Sequence, residues 1–317
     1  MNKFIYLLLL PIFGFGQLNI DRAQDLIKKN QFEQAEQILV EYVNGNPNDI
    51  QATELLGDAY GHQKKWDEAI EQYKKLVESS PQNANYHYKY GGVLGMKSLS
   101  VSKLKALGII GDVKASFLKA AELDPEHVDV RWALVELYMQ LPGIIGGSKS
   151  KSLKYASELE NLSPVDGYLA KGYIHEYDKE PELAEKYYMQ ALKIGGSVTC
   201  FEKLTSFYEN QNEPLKAIGN LEKAYRKHNR NAMHYQIGKV CADYNIQLEK
   251  GERCLKAFIK NHSVKDGVPL EWGYFRLAQI RKNKLDKPGA LKWINKALAT
   301  KVDFEQAEEE KAKILAL

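Results

Sequence analysis

The chain has 317 residues, of which 44% are hydrophobic and 27% are charged, and its formal net charge is +3. This composition is ordinary for a soluble protein, and so small a net charge gives no reason by itself to expect nucleic-acid binding. No run of 18 or more apolar residues is present, so we expect no transmembrane helix.

The first 16 residues differ from the rest of the chain. A short basic start is followed by the wholly apolar residues 4–10, and Gly14 and Gly16 are small residues with the spacing of a cleavage site. A buried N-terminal helix is the alternative, but Pro11 argues against it. We therefore predict a secretory signal peptide over residues 1–16. The mature chain is then exported, to a periplasm or out of the cell, and we expect no lipid anchor because no cysteine follows the apolar segment.

From residue 17 onwards, small residues recur at helical spacing in pairs of short predicted helices. In the first pair they are Ala23 and Ala35, and Pro47 closes the pair. The second pair, residues 49–83, is the most regular, with small and large residues at Leu56, Gly57, Tyr60, Ala69, Tyr73 and Pro81. We expect Gly57 and Ala69 to let the two helices pack closely, and the two tyrosines to fill the space between neighbouring pairs.

The order L-G-x2-Y, A-x3-Y and P resembles the tetratricopeptide repeat, a helix–turn–helix unit with a period of about 34 residues. One such hairpin cannot bury its apolar faces alone, so the resemblance implies a stack. It covers nearly all of the chain after the leader and implies an all-α solenoid, a right-handed superhelix of about eight repeats with a C-terminal capping helix. The expected repeats are residues 17–48, 49–83, 84–127, 128–164, 165–197, 198–230, 231–268 and 269–302, and the expected cap is 303–317.

The third and fourth repeats are longer than this period. Their extra residues lie between the two predicted helices, at 95–111 and 141–150, and both insertions contain Gly-Ile-Ile-Gly. We expect both at the same end of neighbouring hairpins, where insertions in repeat proteins are often functional. Their role stays open.

Catalytic and metal-binding patterns are weak. Residues 143–150 are similar to a phosphate-binding loop, but they lack its second glycine and follow a predicted helix instead of a strand. Ser148 is more simply the N-cap of the next helix. We predict no enzyme activity, no metal and no cofactor.

Cys200, Cys241 and Cys254 are the three cysteines. Cys241 and Cys254 fall on the two helices of one predicted hairpin, so a disulfide between them is geometrically possible. Buried free thiols are the interpretation that we favour.

In the tetratricopeptide repeat family, the first helices of the hairpins line a groove that holds peptides or proteins. The resemblance implies a groove here formed by Glu54, Asp58, Tyr88, Trp132, Glu136, Tyr173, Glu176, Tyr177, Glu202, Glu209, Tyr235, Trp272 and Phe275. These residues are acidic or aromatic, which suits a peptide with basic and apolar side chains and does not suit nucleic acid. Two alternatives stay open: the acids are merely solvated, or a register shift of one residue buries several of the aromatic rings.

Three functions remain open at this point. We favour an exported, non-catalytic protein–protein interaction scaffold. The alternative is an accessory module that binds glycan or peptidoglycan in a cell-envelope enzyme system, with Trp132, Tyr173 and Trp272 stacking on sugars. An enzyme hidden in the two insertions is the least favoured. The sequence does not identify the partner or the oligomeric state.

Overall fold

The computed structural model describes residues 13–317, and side chains from residue 19 onwards. Within this range there are 17 α-helices and two short 3-10 helices, and no strand. The prediction of an all-α fold is confirmed. The predicted signal peptide lies outside the described residues except for its last four, so the leader and the export that it implies stay predictions.

The chain divides into two compact units, one ending at Leu162 and one beginning at Ser163. The first unit contains eight α-helices, which form four successive hairpins: α1 (Phe13–Lys28), α2 (Phe32–Gly45), α3 (Ile50–His62), α4 (Trp66–Ser79), α5 (Ala84–Ser100), α6 (Lys103–Leu123), α7 (Val128–Gln140) and α8 (Lys149–Leu162). A 3-10 helix, Gly143–Ile145, lies between α7 and α8.

The second unit contains four more hairpins and a final helix: α9 (Pro164–Tyr177), α10 (Pro181–Ile194), α11 (Val198–Asn210), α12 (Pro214–His228), α13 (Ala232–Asp243), α14 (Leu248–Lys260), α15 (Leu270–Asn283), α16 (Lys287–Thr300) and α17 (Glu305–Leu315). The second 3-10 helix, Val264–Asp266, precedes α15. In each unit, every helix packs on the helix before it and the helix after it.

Short polar residues start the first helices of several hairpins. The side chains of Asp49, Asn83, Ser163 and Ser197 each accept a hydrogen bond from a backbone N–H in the first turn. Such N-caps satisfy amides that have no partner within the helix. Because these caps recur, they help to define where the first helix of each of these hairpins begins.

Small residues allow the two helices of a hairpin to approach closely. A Cβ added at Gly57 would lie 3.0 Å from the ring of Tyr73, and one added at Gly172 would lie 2.6 Å from the ring of Tyr188. Both rings are buried. The structure therefore confirms the packing role predicted for Gly57 and repeats it in the second unit.

The final helix, α17, covers the last hairpin. Phe304, Ala307 and Ile314 are buried against Ile294 and Ala297 of α16. A terminal repeat needs such a cover because nothing follows to bury its apolar face. The predicted capping helix is present.

The first insertion differs from the prediction of extra residues between two helices. Helix α5 continues to Ser100 and α6 begins at Lys103, so most of residues 95–111 lengthen the two helices. The second insertion forms the 3-10 helix and a loop, and the ammonium group of Lys114 on α6 lies beside its Gly146. Ser98, Leu99 and Ile110 of the first insertion line one cavity with Leu141 of the second, so the two insertions lie at the same end of neighbouring hairpins.

All three cysteines are free thiols. Burial, together with the nearby Cys254, raises the pKa of Cys241 to about 12, so this thiol is protonated at neutral pH. None of the described helices combines the length and the apolar character needed to cross a membrane.

Candidate partner-binding surface

Two adjoining cavities open on the first unit. The smaller, about 290 Å³, is lined by α3, α4 and α5, and the larger, about 430 Å³, is lined by α5, α6 and α7. Tyr88, Gly92 and Met96 of α5 line both. We call the lining of these two cavities the Tyr88 surface. It includes three of the predicted groove residues, Asp58, Tyr88 and Glu136.

The smaller cavity has a charged wall. The Lys89 ammonium lies 2.6 Å from Glu54 Oε1 and 2.9 Å from Asp58 Oδ1, and the Tyr73 hydroxyl donates to Asp58 at 2.5 Å. Burial alone would lower the pKa of Lys89, but the carboxylates of Asp58 and Glu54 outweigh burial and raise it. Lys89 therefore stays charged and neutralises much of the predicted acidity of Glu54 and Asp58.

The larger cavity has an apolar floor and a negative rim. Val113, Phe117 and Ala133 lie on the floor, and the exposed Glu136 lies on the rim. Burial raises the pKa of Tyr88, and the negative charges of Asp129 and Glu136 raise it further. A ligand in this cavity meets apolar contacts below and a negative field at the edge.

In the second unit, most of the predicted acids are held by neighbouring repeats. Glu176 accepts hydrogen bonds from Tyr188 at 2.7 Å and Asn210 at 2.8 Å. Glu209 pairs with Lys239 at 2.7 Å. Glu202 is exposed on α11. Lys239 of the next repeat therefore neutralises Glu209, whereas the neutral donors Tyr188 and Asn210 leave the negative charge of Glu176 in place.

For two of the predicted groove aromatics, Tyr235 and Phe275, the structure corrects the prediction. Tyr235 and Phe275 are only 6% and 5% exposed. Tyr235 packs on Phe258 with ring centroids 5.3 Å apart, and Phe275 packs on Phe304 at 5.5 Å. Both rings therefore belong to the core, as the alternative of a register shift allowed.

The remaining aromatics differ in their accessibility. Tyr177 is half exposed, with its ring 6.0 Å from that of Tyr173. Trp132 is half-buried on α7. Trp272 packs against Phe304 with ring centroids 4.8 Å apart. The structure thus does not bring Trp132, Tyr173 and Trp272 together as one sugar-stacking platform within either unit.

The loop that is similar to a phosphate-binding loop has a structural role. The backbone N–H of Lys151 donates to the Ser148 hydroxyl at 3.3 Å, so Ser148 caps α8 as predicted. Among residues 13–317, no cluster of three or more His, Cys, Asp or Glu side chains is arranged to hold a metal ion.

The sequence reasoning missed one cavity of about 550 Å³ on the second unit. Its lining comes mainly from α10 and α12, with Leu204 and Tyr208 of α11, and Lys193, Lys216 and Lys223 lie in it beside the exposed Met189. The prediction considered only the first helices of the hairpins, whereas this cavity lies mainly on second helices. The exposed apolar residues of α10 are the signal that could have indicated it.

Comparison with known proteins supports the fold. A family profile described as TPR repeat matches residues 57–97, and one described as Tetratricopeptide repeat matches residues 165–194. A comparison with proteins of curated function finds no match to this sequence.

Several solved structures align with this chain. A tetratricopeptide repeat protein from Parabacteroides merdae ATCC 43184 aligns with a TM-score of 0.52 and 13% identity, over 95% of this chain and 98% of that one. MamA aligns with a TM-score of 0.44 and 19% identity, over 56% of this chain and 90% of its own. YrrB, described as a TPR protein with an unusual peptide-binding site, aligns with a TM-score of 0.42 and 17% identity, over 62% of this chain and 97% of its own. The chain therefore contains tetratricopeptide repeats in an all-helical, hairpin-repeat fold that tetratricopeptide repeat proteins share.

Proposed function

We propose that this protein is an exported, non-catalytic scaffold that binds a partner protein or peptide on the Tyr88 surface. The observation that carries the proposal is the pair of adjoining cavities that meet at Tyr88, Gly92 and Met96. Together they are large enough for two or three side chains of an extended or helical peptide. Export rests on the predicted leader alone.

The chemistry of the surface defines the kind of ligand. An apolar side chain of the partner fits the floor formed by Val113, Phe117 and Ala133. A lysine or arginine next to it in the partner faces the field of Asp129 and Glu136, which also raises the pKa of Tyr88. We therefore expect a motif that pairs an apolar anchor with a cation, and no nucleic acid.

Gly92 offers a way to block the surface without disturbing the fold. A Cβ at Gly92 meets no atom within 4 Å, although this residue lines both cavities. Gly92→Leu should therefore fill the surface and leave the hairpin intact. Gly219→Leu is the matched control, because Gly219 also lies inside a helix, lines the α10–α12 cavity and has open space around it.

The experiment selects binders from a random peptide display library on the mature protein and measures their affinity by fluorescence anisotropy. Selected sequences should combine apolar and basic residues. Gly92→Leu should weaken binding by about tenfold or more, which corresponds to one lost apolar anchor, and Gly219→Leu should leave it unchanged. Peptides that bind Gly92→Leu as tightly as the wild type would contradict the proposed site.

The glycan-binding alternative predicts a different result. If the protein retains peptidoglycan fragments and selects no peptide, the scaffold proposal is wrong. A glycan array probed with wild-type protein and with Trp132→Ala distinguishes the two functions.

A further inference from the structure

The hairpin of α5 and α6 is the longest in the described chain. Helix α5 has 17 residues and α6 has 21, whereas the other α-helices have between 11 and 16. Since an α-helix rises about 1.5 Å per residue, the hairpin extends by about one to two turns beyond its neighbours. We call its end, residues 96–107, the α5–α6 tip.

Large apolar side chains at this tip face solvent. Leu99 is 73% exposed and Leu104 is 81% exposed, and Leu107 and Met96 are about half exposed. Exposed apolar residues are common singly, but a cluster of them at one site usually marks an interaction. Leu104 and Leu107 line none of the cavities described above, so the Tyr88 surface does not account for them.

The tip is also basic. No Asp or Glu occurs in the sequence between Glu78 and Asp112. Lys97 is paired with Asp67 of α4, whereas no ion pair involving Lys103 or Lys105 is found within the described part of the chain. These two lysines are in the first turn of α6.

The start of α6 has no negative side chain to balance its free amides. It has no acidic residue in its first turn, and Ser102 makes no side-chain capping bond. A helix start with free amides and adjacent lysines favours a negatively charged group from outside the chain.

The neighbouring insertion has the same character. Ile144 in the 3-10 helix is 96% exposed. No acid occurs between Glu136 and Glu158, and Lys149 and Lys151 begin α8. Both insertions thus carry exposed apolar side chains and lysines, and neither contains an Asp or Glu in its sequence.

We propose that the α5–α6 tip docks this protein on an anionic lipid surface. Leu104, Leu107 and Leu99 enter the interfacial region, and Lys103 and Lys105 contact the lipid phosphates. This pattern of protruding apolar side chains flanked by lysines is that of interfacial membrane binding. A protein partner is the less favoured occupant, since Leu104 and Leu107 stand on a protruding end and line neither cavity of the Tyr88 surface. The docking is peripheral, and the tip adjoins the Tyr88 surface because Met96 and Leu99 also line its larger cavity.

The test is flotation of the mature protein with vesicles. One set contains phosphatidylcholine and phosphatidylglycerol, and the other contains phosphatidylcholine alone. We expect binding to the anionic vesicles that weakens as salt is added. Each lysine near an anionic surface contributes about fivefold in partitioning, so Lys103→Glu/Lys105→Glu should lower binding by about 25-fold or more. Leu104→Ser/Leu107→Ser should lower it as well.

Matched controls distinguish binding by the tip from non-specific binding of the protein to vesicles. Leu285→Ser/Val302→Ser removes two exposed apolar residues of the second unit, and Lys193→Glu/Lys223→Glu reverses two lysines there. Both controls should bind vesicles like the wild type, and circular dichroism should show that all variants are folded. Absence of binding to anionic vesicles, equal binding to both vesicle types, or equal loss in the controls would overturn the proposal, as would a protein captured by the tip without vesicle binding.

Discussion

Glycines in the first helices of the hairpins determine how closely the paired helices approach. The ideal Cβ positions of Gly91 and Gly172 lie 2.8 Å and 2.6 Å from the aromatic rings of Phe117 and Tyr188. Tyr188 cannot easily move away, because its hydroxyl donates a hydrogen bond to Glu176 and only 3% of the residue is exposed. Glycine in a helix costs stability, so the close packing must offset that cost.

Gly172→Ala should therefore destabilise the protein by up to about 2 kcal/mol. Overpacking costs about 1–3 kcal/mol, and the better helix propensity of alanine returns about 1 kcal/mol. Gly92→Ala is the control, since open space surrounds that position, and it should raise the free energy of unfolding by up to about 1 kcal/mol. Urea unfolding measures both. Equal effects of the two variants would contradict the packing argument.

We expect the stability of the folded protein to depend on pH through His234. Burial lowers its pKa below the ordinary value of 6.5, and its Nδ1 is buried without a hydrogen-bond partner. Its ring lies 4.3 Å from that of Tyr225. The neutral form is favoured in the folded state, so the unfolded chain binds more protons as the pH falls.

The stability that His234 contributes is complete above pH 6.5 and is lost as the pH falls from 6.5 towards the lower folded-state pKa. His234→Phe keeps the ring contact and removes this titration. Its free energy of unfolding should therefore fall less than that of the wild type between about pH 7.5 and about pH 5.5. Parallel pH profiles of the two proteins would show that His234 is not responsible.

At the scale of elements, α17 acts as a cover for the last hairpin. Phe304 at its start is 1% exposed and packs on Trp272 and Phe275. Lys282 of α15 pairs with Glu310 of α17 at 2.6 Å. The cap is therefore held mainly by apolar burial, and one partly buried ion pair adds to it.

Phe304→Ala should destabilise the protein by about 3–5 kcal/mol, because it leaves a cavity beneath the cap. Val302→Ala, two residues earlier and exposed, should change stability by less than about 0.5 kcal/mol. Thermal unfolding of the two variants provides the measurement. A similar, small shift for both would mean that α17 does not close the core.

The helices could largely be predicted from the sequence, because small residues and polar caps recur once per repeat. The first insertion could not, since Leu, Lys and Ala between the two hairpin helices suit a longer helix as well as a loop. Tyr235 and Phe275 were misplaced for a related reason. Buried residues occur almost all round α13, among them Met233, Ile237 and Val240, so periodicity does not show which face is open.

The electrostatics of the candidate site were predictable only in part. Lys89, Lys239 and Arg276 pair with acids that lie 30 to 33 residues earlier in the chain, close to one repeat length. The sequence pattern of a single helix shows the acids, but it does not show the basic residues of the next repeat that pair with them. Glu136, a predicted groove residue, is exposed beside a cavity, but the apolar floor depends on residues of α6 that only the fold brings there.

At the scale of the whole molecule, each unit combines the same repeated hairpin with a surface of its own. Ion pairs across repeats occur in both units, whereas the Tyr88 surface and the two insertions belong to the first. We therefore expect the first unit to hold the partner and the second to contribute hairpins of its own, the last of which α17 covers.

Amide hydrogen exchange with a selected apolar–basic peptide tests this account most directly. The peptide should slow exchange in α5 and α7, residues 84–100 and 128–140, and leave α10 and α12 unchanged. Protection confined to α10 and α12, or to no helix of the first unit, would contradict the claim that the Tyr88 surface is where this protein holds its partner.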